Sequence, residues 1–231
     1  MNKFIFIVLN LHNFAQSAKI GGVSAIFKSK LLRLRSTCTI FAHKFKHMLI
    51  ALQKRKENIA EYLLYMWQVE DIIRACNFSL GEIEKNIVAR FEQPQSVRDE
   101  IKEWYGELIN MMLQEGVKES GHIQINKNIV IDLNDLHLAL LKSPKEIAYN
   151  TAFYRVLPSI LDLKGKSGPQ DSENNIELIF NALYGYMLLR LQKKEVLPET
   201  AEAVKQISSF TALLATKYRQ EKAGELKLDE E

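Results

Sequence analysis

Glu70 and Asp71 stand side by side in YLLYMWQVEDIIRA, residues 62–75, among aromatic and aliphatic neighbours. Two carboxylates in an apolar setting can do acid–base chemistry, because such a setting moves a carboxyl pKa towards neutrality. A helical wheel separates the two. With Ile59 at zero and 100° per residue, Leu63, Met66, Ile73 and Cys76 fall within about 40°, and Glu70 lies in their midst at about 20°. Asp71 falls at about 120°, beside Glu57 and Glu61, and reads as a surface charge.

A carboxylate on an apolar stripe needs a partner, since burying it ionised and alone costs several kcal/mol. Arg74, four residues on, is in local reach. Arg190 lies within about 40° of a second stripe made by Ile176, Leu183 and Met187. The expectation is a semi-buried polar cluster of Glu70 with Arg74, Arg155 or Arg190. Such a cluster serves either as an ion pair that fixes helix register or as a ligand site.

Other reactive patterns are weaker. Glu119-Ser-Gly-His122 has the Glu-x-x-His spacing of helical di-iron sites, but those need two such motifs and two more carboxylates. One copy exists, and His137 is the only other histidine after residue 47. Gly165-Lys-Ser167 resembles the end of a phosphate loop, yet position 160 is Ile where that loop needs glycine. No serine, histidine and aspartate share a nucleophile-elbow motif. Two cysteines, Cys38 and Cys76, make neither a metal pattern nor a disulfide framework. The reading therefore assigns no catalytic residue, no metal and no cofactor.

The elements that hold these residues read as helices. Glycine (10) and proline (5) are scarce in 231 residues, which favours long helices over a turn-rich β fold. The first helix is expected from about Leu52 to Asn77. Ser79 with Glu82 matches a capping box, with Ile83, Ile87 and Phe91 as the stripe and Pro94 as the stop. Ser96 with Asp99 opens a third helix running to about Glu119. In HIQINKNIVI, residues 122–131, isoleucines alternate like a strand. An isolated strand is unstable, so the stretch is read as a connection into a helix bearing Leu133, Leu136 and Leu140. Ser143-Pro-Lys-Glu146 has the form of an N-cap, N1 and N3. The helix after it shows Ile147, Thr151, Tyr154 and Leu161 on one face and is kinked at Pro158. Residues 164–171 form a flexible loop. A sixth helix carries Ile176 to Leu191, and Pro198 with Thr200 starts a seventh. The whole is an all-α irregular bundle of about six or seven helices in a single domain, 48–221, with an acidic disordered tail, 222–231.

Charge is divided unevenly. Residues 1–47 carry eight basic residues and no acid, while the rest has 23 basic and 28 acidic residues, a net of −5. An acidic body argues against nucleic-acid binding. The leader imitates a signal or transit peptide poorly and is expected to be a disordered extension or a start-site artefact ahead of Met48. Membrane association is not expected unless that leader is genuine.

Three stretches resemble a known family: QKRKENIAEYLLYMWQVEDIIRA (53–75), GHIQINKNIVIDLNDLHLALL (121–141) and FTALLATKYRQ (210–220). They are similar to small bacterial proteins grouped as domain of unknown function 4924. The likeness covers 48–231 and none of 1–47. It implies an all-helical cytoplasmic protein and brings no activity, cofactor or site residue. The functional expectation is a non-enzymatic helical interaction or scaffold protein with a protein partner or as a homodimer. Its rival is a small-ligand binder or enzyme that uses the Glu70 cluster with tyrosines such as Tyr62 and Tyr154.

Overall fold

The computed structural model describes residues 54–166 and 174–228. The leader 1–47, most of the 164–171 loop with the Ser167 end of the phosphate-loop-like tripeptide, and the last three residues lie outside them. From residue 59 on, the described elements are seven α-helices and one 3-10 turn. They are α1 (Ile59–Ala75), α2 (Leu80–Asn86), the turn Val88–Arg90, α3 (Gln95–Gln114), α4 (Gln124–Lys142), α5 (Ile147–Lys166), α6 (Asn175–Leu191) and α7 (Pro198–Lys222). None of these described helices is long and apolar enough to cross a membrane.

Local chemistry sets most boundaries. Residues 54–57 are helical, but Asn58 interrupts the run and restarts it. Its side-chain oxygen accepts the N–H groups of Ala60 and Glu61 at 3.1 and 3.3 Å, the action of an N-cap. Ser79 caps α2 by accepting Glu82 N–H at 3.3 Å. Asn174 caps α6 through the N–H groups of Ile176 and Glu177. Pro198 opens α7 within its first turn, where its missing N–H costs nothing.

Two expectations are corrected. The strand-like 122–131 stretch is helical from Gln124. The buried positions there are Asn126, Ile129, Val130 and Leu133, a helical period, while Ile125 and Ile131 are exposed. Ser143-Pro-Lys-Glu146 forms a turn between helices, not the first turn of one. Ser143 is the C-cap of α4, and the carbonyl of Glu146 accepts the first turn's N–H from Asn150. Helix α5 continues through Pro158. That proline is exposed, so the carbonyl it leaves unpaired can turn to water.

The chain groups into two compact units. The described part of the smaller comprises 73–110. There Ile83, Val88, Val97, Ile101 and Tyr105 are buried, and Lys102 meets Glu84 at 2.6 Å. The larger comprises 54–72 with 111–166 and 174–228. Within it α7 packs on α4, α5 and α6, and α4 packs on α5 and α6. Trp67, Tyr149, Phe180 and Phe210 are its largest fully buried side chains. All residues of the site described next belong to this larger unit.

Candidate functional site

Glu70 is 0% exposed. It sits on α1 between Met66 and Ile73, both buried, so the helix carries the carboxylate into the interior. The groups that meet it come from the start of α4, about fifty residues away. His122 Nδ1 lies 2.5 Å from one carboxylate oxygen. The other oxygen accepts from Asn126 Nδ2 at 2.7 Å and from the Ile123 backbone N–H at 3.2 Å. With the proton on Nδ1, three donors converge on two oxygens, which offsets the desolvation of a buried carboxylate.

A glycine stop brings His122 there. Helix α3 ends with Gly116 at φ +71°. Val117 N–H returns to the Met112 carbonyl and Gly116 N–H to the Leu113 carbonyl, the Schellman pattern that needs a left-handed residue. Gly121, at φ +84°, makes the next bend into His122 and Ile123. Glu115, just before that stop, accepts Gln124 N–H at 2.5 Å. Two carboxylates, Glu115 and Glu70, thus cap the N-terminus of α4, where free N–H groups and the helix dipole favour negative charge.

The His122 ring lies flat on Trp67, with ring centroids 4.0 Å apart and planes 9° from parallel. Trp67 is in turn met edge-on by Phe180 and Tyr184 of α6. Stacking and the Nδ1 bond together fix the imidazole. Its side chain is 25% exposed, and among the described residues Nε2 has no hydrogen-bond partner. With Nδ1 protonated, Nε2 holds a lone pair open to proton transfer or ligand binding. Two further polar atoms of the cluster, Trp67 Nε1 and Asn126 Oδ1, are buried without a partner among the described residues.

Arg74, one turn beyond Glu70 on α1, is half-buried. The structure places two of the three expected arginines on the surface of other helices. Arg155 is exposed on α5 and lines a hollow of about 200 Å³ with Glu202, Lys205 and Ser209. Arg190 is exposed at the end of α6, beside Lys193 and Lys194. The reason is distance along the chain: a wheel shows which face a residue occupies but not what another helix brings to it. Asp71 is corrected as well. It is half-buried and accepts the Tyr184 hydroxyl at 2.6 Å, so it ties α1 to α6 rather than standing in solvent. Of the two tyrosines, burial raises the Tyr62 hydroxyl pKa, Arg55 opposes this and the Glu70 charge adds to it. Tyr154 is 65% exposed on α5.

His122, Asn126 and Trp67 are the functional candidates that sequence reasoning missed. His122 carried one signal, its place in Glu119-x-x-His122, which pointed to metal. Among the described residues, however, no group of three or more His, Cys, Asp or Glu is arranged to hold a metal ion.

A second buried histidine lies in the same unit. His137 Nδ1 is 2.7 Å from the Tyr149 hydroxyl, and its ring is ringed by Phe153 and Phe210. Desolvation lowers its pKa to about 4, so it is neutral at pH 7. Burial also raises the Tyr149 hydroxyl far above its usual range.

Outside these clusters one helix face is unusual. On α5, Ile147 is 71%, Tyr154 65% and Leu161 57% exposed, and Thr151 and Pro158 between them are exposed too. Steps of four, three, four and three residues match the seam of a coiled coil. The opposite face, Tyr149, Phe153, Val156 and Ile160, is buried.

No curated protein and no solved structure matches the chain. A family profile does match, over residues 48–225: the domain of unknown function DUF4924. That span is most of the chain, and the protein belongs to this family.

Proposed function

We propose that this family member is a non-enzymatic interaction module of the bacterial cytoplasm, which docks a helix of a protein partner on the outer face of α5. The exposed seam of Ile147, Thr151, Tyr154, Pro158 and Leu161 carries the reading. Helix α5 needs one apolar face for its own core, and it has one. A second apolar stripe opposite the first does nothing for the monomer, and water in contact with it is unfavourable. Heptad spacing suits another helix, whose side chains seat between these.

The test is a photo-reactive phenylalanine in place of Tyr154, irradiated in the intact cell. A discrete protein adduct supports the reading. An adduct no stronger than from an exposed polar position away from α5, such as Lys127 on α4, removes it.

A second reading draws on His122. A carboxylate-anchored imidazole with a free Nε2 is an acid–base arrangement, and the two unpartnered buried atoms beside it suit a small polar molecule. Saturation-transfer NMR against a library of hydroxyl and amide compounds tests it. Binding lost in His122→Ala but kept in Tyr154→Arg favours this reading over the first.

A further inference from the structure

We infer that the helix docked on α5 is the α5 of a second copy of this chain, laid antiparallel. The inference rests on the interaction reading above and adds the partner's identity. Its argument is charge complementarity along one edge of the seam.

Measured from Ile147, the seam residues lie within about 40° of its centre line, and Arg155 and Asp162 border the same edge at about 80° and 60°. Both are exposed, seven residues apart and opposite in sign. An antiparallel copy with its two-fold axis between Tyr154 and Leu161 brings each Tyr154 against the partner copy's Leu161. The same axis puts each Arg155 on the same edge as the other copy's Asp162 and about 3 Å from it along the helices, a step the long arginine side chain spans, so one symmetric contact forms two ion pairs. Asp162 also has a partner in its own chain, and a carboxylate has room for a second donor. In a parallel pair this edge meets the other one, where Asn150 and Leu157 stand, and no ion pair forms. Pro158 lies near the axis, where its ring adds apolar surface.

Size sets the strength. Tyr154 and Leu161, with Thr151, Pro158 and the Arg155 stem, bury about 400 Å² per copy, so about 800 Å² in all, below the roughly 1,200 Å² of stable complexes. The dimer is therefore weak, with a dissociation constant in the micromolar range or above.

The full chain is examined by sedimentation velocity from about 1 to about 300 µM, a range that spans such a constant. The expected result is a mass that doubles with concentration. Tyr154→Arg weakens association by about tenfold or more. Arg155→Asp weakens it a few-fold, and adding Asp162→Arg restores it, since the double swap keeps the pairing. Orientation is read by disulfide formation with Cys38 and Cys76 changed to Ser. Tyr154→Cys mixed with Leu161→Cys gives a crossed dimer. Leu161→Cys alone gives none, because its two copies sit about 10 Å apart along the axis, beyond disulfide reach.

A chain that stays monomeric throughout overturns the inference, as does a dimer indifferent to Tyr154→Arg or one that links 161 to 161. A monomeric chain that still forms the cellular adduct from position 154 overturns this inference alone and assigns the face to another protein. An adduct within the chain's own residues 1–53 also overturns it. Failure to form any adduct removes the interaction reading itself.

Discussion

Replacing Glu70 by leucine tests the site at its centre. The side chain is 0% exposed and accepts from His122, Asn126 and the Ile123 N–H. Ile123 and Asn126 are also 0% exposed, so neither donor can turn to water once the acceptor is gone. Each such orphan costs about 1–3 kcal/mol. His122, a quarter exposed, can recover its bond with solvent. Two orphans give about 4 kcal/mol, and the extra apolar burial of leucine returns about 1 kcal/mol. The net loss is about 3 kcal/mol. Urea unfolding followed by far-UV circular dichroism reads this as a midpoint lower by about 1.5 M, for a slope near 2 kcal/mol per M. Glu70→Gln is the control. Its carbonyl oxygen still serves Ile123 and Asn126, and its amide can donate to the other His122 tautomer, so the loss is about 1 kcal/mol. A leucine variant within about 0.5 kcal/mol of the native protein, or a glutamine variant as damaged as the leucine one, would refute the capping account.

The remaining predictions concern separate features. His137 has a folded pKa near 4 against about 6.5 when unfolded. The unfolded chain takes up that proton first, so this contribution is intact above about pH 6.5 and falls by up to about 3 kcal/mol as pH drops towards 4. His137→Phe should flatten that slope, measured as the difference between the two proteins' stability–pH curves. Gly116→Ala meets no atom within 4 Å, but the backbone sits at φ +71°, so the cost is strain alone, about 1 kcal/mol by thermal melting. Tyr184→Phe removes the 2.6 Å bond to Asp71 and should cost about 1–2 kcal/mol, with Asp71→Asn costing less.

What the sequence made legible follows from how far each signal reaches. Caps and stops act over three or four residues. Ser79, Pro198 and the apolar periods therefore predicted helices that the structure contains. Signals read in the wrong element failed. Ser143-Pro-Lys-Glu146 has cap chemistry but spends it on a turn, and alternating isoleucines in 122–131 fit a helix equally well when only some are buried. On α5 the stripe chosen from the sequence, Ile147 to Leu161, is the exposed one. Two apolar stripes share that helix, and periodicity alone cannot say which faces its own core. The partners of Glu70 were beyond reach for a similar reason. They come from a loop shaped by Gly116 and Gly121, and nothing within a turn of Glu70 encodes His122.

The interaction account is tested most directly by moving the photo-reactive residue along α5 in the intact cell, one position at a time. Adducts should recur with the seam, from 147, 151, 154, 158 and 161, and drop at Ala148, Ala152 and Ser159, which lie on its flank. That four–three rhythm identifies a helix seated on this face. Equal labelling at all eight positions, or none at any, contradicts the account.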